Sequence, residues 1–253
     1  MVKRIDSVKN PQVKLWKKLH TKKERDNQGL FLVEGFHLVE EALNQREMIK
    51  YLILADNVDI PSHWNVDTVE MIVVTPAVIK AIADTETPQG IAAVCYQNQS
   101  SSVLQTARRL VLLDAVQDPG NVGTIIRTAE AAGIDAVIIG AGCVDVYNSK
   151  VIRSTQGAIF NLPVIKKDLI SAIKELKECG VSVYGTSLQN ASVYTEVEKP
   201  EAFALIVGNE GQGVSSAVLN ETDHNLYIPI FGKSESLNVA IASAILMYYL
   251  RGM

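Results

Sequence analysis

Short apolar runs alternate with stretches of helical spacing along most of the chain. In the first ninety-odd residues, apolar runs at 31–33, 51–54, 70–74 and 90–96 predict strands. Residues 11–21, 37–44 and 76–83 instead repeat their apolar positions every three to four residues and predict helices. Pro11 stands in the first turn of its helix, where a missing N–H costs little. Beyond residue 107 the alternation strengthens. Strands are predicted at 110–113, 136–139, 181–185 and 203–207, with helices at 124–132, 149–156 and 169–179, the last closed by Gly180. A short strand is expected again at 227–230, followed by a long apolar helix from residue 237 to 250.

This pattern predicts an α/β protein with a mainly parallel sheet covered on both faces in its larger part. The polar run 97–102 (Gln-Asn-Gln-Ser-Ser-Ser) is the expected boundary. It divides the chain into a small α/β domain at 1–96, a linker at 97–107 and a larger domain at 108–253. Ligands of parallel sheets sit beyond the carboxyl ends of the strands. Here those ends lead into the loops 114–123, 185–188, 208–213 and 229–236.

Charge changes the picture more than composition does. The 253 residues are 47% hydrophobic with a net charge of −4, as for an ordinary globular protein. The charge is unevenly spread. Residues 1–25 hold nine cations (Lys3, Arg4, Lys9, Lys14, Lys17, Lys18, Lys22, Lys23 and Arg25) against Asp6 and Glu24. A basic end on an acidic body is the asymmetry of a phosphate-binding arm. A solvated amphipathic helix, packed through Val13, Leu15, Trp16 and Leu19, accounts for the same residues, and the two readings are compatible. The apolar run 237–250 contains Asn238 and is too short to span a bilayer comfortably, so no membrane is expected. The charged N-terminus lacks the apolar core of a signal peptide. Cys95, Cys143 and Cys179 are far apart with no CxxC pair, which predicts neither a disulfide framework nor a metal site and fits a reducing cytoplasm.

Three loops carry the candidate chemistry. The first, 114–124, is Gly-rich and leads into a helix whose first turn is expected to hold Arg127, which can grip a phosphate or pair with Glu130 on the helix surface. The second, Gly208 to Gly213, has the outline of a P-loop but lacks its lysine, since Val214-Ser215 follow. Gly140-Ala-Gly142 begins like a dinucleotide fingerprint without the third glycine. In the third loop Ser236 is the expected N-cap of the last helix, with Asn238 satisfying a nearby amide. Four scattered histidines offer no Ser–His–Asp set.

Taken together, these loops resemble the SpoU (TrmH-like) family of RNA ribose 2′-O-methyltransferases, within the SPOUT superfamily. The family's first motif is similar to Asn121-Val-Gly-Thr-Ile-Ile-Arg127, its second to Ile206-Val-Gly-Asn-Glu-Gly-Gln-Gly213, and its third to Ile228-Pro-Ile through Ser236-Leu-Asn-Val-Ala240. Arg153-Ser-Thr-Gln-Gly-Ala158 and Leu162-Pro163 match between them. Residues 7–44, with Asn10-Pro11 and Phe31-Leu-Val-Glu-Gly35, resemble the substrate-binding domain that many members carry in front.

The resemblance implies S-adenosyl-L-methionine as methyl donor, a ribose 2′-hydroxyl of RNA as acceptor, a C-terminal trefoil knot and a homodimer, with no metal. It implies catalytic roles for Asn121, Arg127, Glu210, Ser236 and Asn238. Donor contacts are implied at Gly208, Ile228 and Leu237, with Thr186, Asn209 and Gly213 alongside. RNA contacts are expected from Lys14, Lys17, Lys18, Lys22, Lys23, Arg25 and Arg153. The two-domain form favours ribosomal over transfer RNA. Two other readings stand beside this one: a non-catalytic RNA-binding protein on the same scaffold, and a methyltransferase acting on tRNA or on a base atom.

Overall fold

The computed structural model describes residues 3–98 and 102–252. It divides into two compact units, one made of 1–98 with 147–161 and the other of 99–146 with 162–253.

The first unit is built on a five-stranded sheet in the order β1-β4-β3-β5-β2, from β1 (Lys3–Ile5), β2 (Leu30–Glu34), β3 (Ile49–Ala55), β4 (Met71–Val74) and β5 (Ile91–Tyr96). β1, β4 and β3 run parallel, whereas β5 is antiparallel to both β3 and β2. The expected 11–21 helix stops at Lys18, and a second helix that periodicity did not announce, Lys22–Gln28, follows. Its sequence Lys-Lys-Glu-Arg-Asp-Asn-Gln has no apolar residue to mark a face. What ends it is Gly29, whose φ of +63° is the left-handed C-cap that glycine adopts without strain. Asn10 caps the Pro11–Lys18 helix by accepting from the Gln12 amide at 2.8 Å. Val13, Trp16 and Leu19 of this region are buried in the core with Ile53, Ile72 and Val94.

The segment 147–161 counts with this unit rather than with the residues on either side of it. Aromatic packing accounts for that. Phe31, wholly buried on β2, lies 4.7 Å from the ring of Tyr147 and 6.2 Å from that of Phe160. The helices Ser149–Thr155 and Ala158–Asn161 follow, separated by Gly157 at φ +94°, where a Cβ would overlap the Glu41 side chain. A division of the sequence at one boundary therefore differs from the fold here. Residues 99–101 of the expected linker lie outside the described residues. Leu104 and Ala107, also within it, are buried in the core of the second unit.

The second unit is a seven-stranded, wholly parallel sheet in the order β10-β12-β9-β11-β6-β7-β8. Its strands are β6 (Arg109–Asp114), β7 (Ala136–Ile139), β8 (Val164–Lys166), β9 (Ser182–Thr186), β10 (Ser192–Val193), β11 (Phe203–Gly208) and β12 (His224–Tyr227). Every residue of β7 and β11 is buried, as expected of strands covered on both faces. The strand expected at 227–230 instead ends at Tyr227, and Pro229, which cannot donate to a ladder, follows in irregular chain. Among the described residues no helix is long and apolar enough to cross a membrane.

Because Trp16 is 1% exposed while Lys17 and Lys18 beside it face solvent, Trp16→Ala is expected to cost about 3–5 kcal/mol of unfolding free energy. Lys17→Ala and Lys18→Ala should each stay within about 0.5 kcal/mol of the parent chain. Urea denaturation followed by circular dichroism measures all three.

Candidate active site

In a parallel sheet all carboxyl ends lie on one edge, so the loops after β6, β11, β9 and β12 emerge side by side. Two of them are tied to each other at their roots. Asp114 Oδ2, at the end of β6, accepts from the Ser215 amide at 2.8 Å. Asn209, after β11, donates through Nδ2 to the Ala115 carbonyl at 2.9 Å, while its Oδ1 accepts from the amides of Gly211 and Gln212 at 3.0 and 3.1 Å. The loop closes on itself through paired backbone bonds between Asn209 and Gly213. Gly213 sits at φ +71°, and a Cβ on Gly208 would overlap the backbone of Gly213 and Val214. Glycine at 208 is required by contact with the chain itself.

Above this floor a run of polar side chains joins three loops. Glu210 Oε1 accepts from the Asp118 amide and from Asn121 Nδ2, both at 3.0 Å, and Oε2 accepts from the Gln117 amide at 3.1 Å. Asn121 Oδ1 in turn accepts from Asn238 Nδ2 at 2.9 Å. Asn238 Oδ1 takes the amides of Ala240 and Ile241 at 2.9 and 3.3 Å. Asn238, not Ser236, is thus the N-cap of the Val239–Arg251 helix. That answers why a polar residue opens so apolar a helix.

Burial pushes the Glu210 carboxyl up, but its bonds from Asn121 and the amides of Asp118 and Gln117 outweigh that and hold it below the ordinary value. The residue is an anion at neutral pH with three donors already on it. It is poorly suited to be a proton acceptor.

Arg127 is placed differently from expectation. Its helix runs Pro119–Ala131, capped by Asp118, whose Oδ1 accepts from the Asn121 amide at 2.8 Å. Arg127 therefore falls in the third turn, not the first. Its side chain is exposed, and among the described residues it has no ion pair; the surface pairing with Glu130 does not form. Ser236 is exposed too. Asn121, Glu210 and Asn238 are thus brought together by direct bonds, while Arg127 and Ser236 stand outside that chain of bonds with their polar groups unspent. Asp114 and Asp118 were not singled out from sequence. Asp118 had a readable signal, an Asp followed by Pro at the first helical position.

The donor-site candidates sit at the same edge. Thr186 Oγ1 donates to the Ile206 carbonyl at 3.1 Å, which ties the end of β9 to β11. Ile228 and Leu237 lie in the irregular chain after β12, with Leu237 37% exposed and Leu188 of the β9 loop 77% exposed. Among the described residues no cluster of His, Cys, Asp and Glu can hold a metal ion.

In the first unit Lys14, Lys17, Lys18, Lys22 and Lys23 are all exposed. Arg25, expected among them, is 4% exposed and donates to the Leu19 carbonyl at 2.7 Å. It joins the core because the Lys22–Gln28 helix turns that one cation inward. Arg153 reaches Asp84 at 3.3 Å.

A wholly parallel sheet with its polar groups gathered on loops at the carboxyl edge agrees with the comparisons to known proteins. A family model described as the SpoU rRNA Methylase family matches residues 108–248, and one described as an MRM3-like substrate binding domain matches residues 10–93. The chain belongs to the SpoU rRNA methylase family. It is 53% identical over 251 residues to the 23S rRNA (guanosine(2553)-2′-O)-methyltransferase RlmP of Bacillus subtilis (strain 168), across 99% of this chain and 100% of RlmP. The crystal structure of an AdoMet-bound rRNA methyltransferase from Sinorhizobium meliloti superposes with a TM-score of 0.88 at 32% identity, covering 99% of this chain and 97% of that one. The SpoU methyltransferase AviRb from Streptomyces viridochromogenes gives 0.82 at 25% identity, covering 96% of each chain.

Gly208→Ala tests the floor of the site. Overlap with backbone cannot be relieved by a rotamer change, so a loss of at least about 2–3 kcal/mol in unfolding free energy is expected. Gly232→Ala, where a Cβ meets nothing within 4 Å, should be near neutral in the same denaturation experiment.

Proposed function

We propose that the acceptor of this enzyme is the ribose 2′-hydroxyl of one guanosine in 23S ribosomal RNA, at the place that corresponds to RlmP's site. The reaction class goes with the family: an RNA ribose 2′-O-methyltransferase that uses S-adenosyl-L-methionine. The observation that carries the finer reading is identity of 53% along the whole of RlmP, in a chain whose Glu210, Asn121 and Asn238 are joined in one network.

When bound, S-adenosyl-L-methionine supplies a methyl group already activated by the positive sulfur. A ribose hydroxyl is a poor nucleophile, so the protein's task is to hold it in line and ease its proton away. Arg127 does this by clamping the adjacent phosphate and polarising the hydroxyl. A guanidinium with a pKa above about 12 is no base. Ser236, whose hydroxyl is exposed, relays the proton to water in this reading. Asn121 and Asn238 have both ends of their carboxamides engaged, so they and Glu210 act as positioning residues. They lock the loops after β6, β11 and β12 in one geometry. Main-chain groups near Gly208, Asn209, Gly213, Ile228 and Leu237, with Thr186 behind them, hold the donor.

The same reading gives the chain a trefoil knot in its last fifty residues. It also makes the protein a homodimer. Ile241 and Tyr248, 52 and 36% exposed, stand seven residues apart on the Val239–Arg251 helix, and Leu237, 37% exposed, lies just before it; together they make an apolar surface that a second copy would cover. The exposed lysines of the first unit would grip the RNA backbone, and ribosomal RNA places the work in the cytoplasm.

The chain with S-adenosyl-L-methionine should render a single guanosine linkage of unmodified 23S rRNA resistant to alkali. Methylation of a base with no resistant linkage would refute the assignment. Arg127→Ala should lower the rate at least about 100-fold with donor affinity unchanged by calorimetry. For the dimer, Ile241→Glu should halve the mass found by sedimentation equilibrium; an unchanged mass would remove that face from the interface.

A further inference from the structure

A polar cleft of about 200 Å³ lies within the first unit. Leu19 and Leu32 give it apolar wall, Tyr147 an aromatic one, and His20, Glu34 and Asp84 supply polar groups beside the cations Arg25 and Lys150. Its size suits one planar heterocycle rather than a whole nucleotide chain.

The walls are held rigidly. The Tyr147 ring packs on Phe31, and its hydroxyl accepts from the Asn98 amide at 2.9 Å. His20 Nε2 donates to the Ile82 carbonyl at 2.7 Å, since a carbonyl oxygen only accepts. Both oxygens of Glu34 are engaged, by the Asp84 and Thr85 amides and the Thr85 hydroxyl. Asp84 is different. Ser149 Oγ at 2.6 Å and both terminal nitrogens of Arg153, at 3.3 and 3.4 Å, converge on Oδ2. Among the described residues none donates to Oδ1. The Ser149 bond leads in keeping this carboxyl below its ordinary value, so the open oxygen belongs to an anion.

The position in the chain identifies the class of ligand. Leu19 and His20 join the two helices that carry Lys17 and Lys18 on one side and Lys22 and Lys23 on the other, all four exposed. Phosphates held by lysines beside a slot with apolar and aromatic walls is how single-stranded RNA is gripped. An open carboxylate oxygen selects a base that offers N–H groups on its pairing edge. Guanine offers two adjacent ones, its imino and its exocyclic amino group.

We propose that this cleft is a nucleobase-anchoring subsite that takes one unpaired guanine of the RNA, with Asp84 Oδ1 accepting from its pairing edge. It rests on the reading of this chain as an RNA methyltransferase, and adds to it a base-recognition site in the first unit. Asp84 there is a specificity residue and takes no part in the chemistry.

The test uses the full-length chain and three fluorescent RNA hexamers: all uridine, uridine with one central guanosine, and uridine with one central inosine, which lacks the amino group. Fluorescence anisotropy at one fixed salt concentration reads the affinities. The guanosine hexamer should bind about tenfold more tightly than the inosine hexamer, the worth of one bond to a charged acceptor. Asp84→Asn should erase that preference. Ser149→Ala, which removes an internal bond to Oδ2 and leaves Oδ1 in place, should keep it. Equal binding of all three hexamers by the parent chain would overturn the proposal without recourse to any variant. So would loss of the preference in Ser149→Ala to the same degree as in Asp84→Asn, since Asp84 would then act only by holding the 147–161 segment. Methyl transfer to 23S rRNA by the parent chain is scored separately. Transfer without a guanosine preference sinks this subsite alone, whereas no ribose methylation sinks the function on which it rests.

Discussion

Everything at the active edge depends on how the Glu210 carboxylate is held. It accepts from two amides of the loop after β6 and from Asn121, and through Asn121 it reaches the cap of the last helix. The bonds to Glu210 are charge-assisted and stronger than neutral ones, and the neutral bond from Asn238 to Asn121 joins the third loop to them. Because Glu210 is anionic and fully engaged, the network is a brace. It also separates the motif residues: Asn121, Glu210 and Asn238 are bonded to one another, and Arg127 and Ser236 stand outside the network.

The brace works only because the floor beneath it is dense. Gly208 has backbone where a side chain would be, and Asn209 spends both ends of its carboxamide on neighbouring main chain. A glycine-rich loop of this kind is often read as room for a phosphate. Here the room is taken by the chain itself, which agrees with the missing P-loop lysine.

The first unit shows the same economy at the level of a helix pair. Val13, Trp16 and Leu19 anchor the basic region in a core while its lysines stay outside, as the amphipathic reading expects. Arg25 shows the limit of counting charges. A cation inside a basic run ends up 4% exposed and bonded to the Leu19 carbonyl.

Sequence by itself determined the strongly periodic elements, from the 136–139 strand, which is observed unchanged, to the 169–179 helix, which ends one residue earlier. It also determined the parallel character of the larger sheet and the loops at its carboxyl edge, since buried strands must be apolar on both faces. The motif residues were legible as types in order. What they touch was not. Glu210 meets Asn121 across 89 residues of sequence and Asn121 meets Asn238 across 117. Such bonds depend on loop conformations that no period encodes. The Lys22–Gln28 helix went unseen because a polar helix leaves no apolar stripe, and β12 ended early because Pro229 cannot extend a ladder. Only the folded chain could decide that 147–161 packs on Phe31 of β2, or that Arg25 turns inward. Those outcomes are set by which surfaces meet, a property of the whole arrangement and not of any window along the chain.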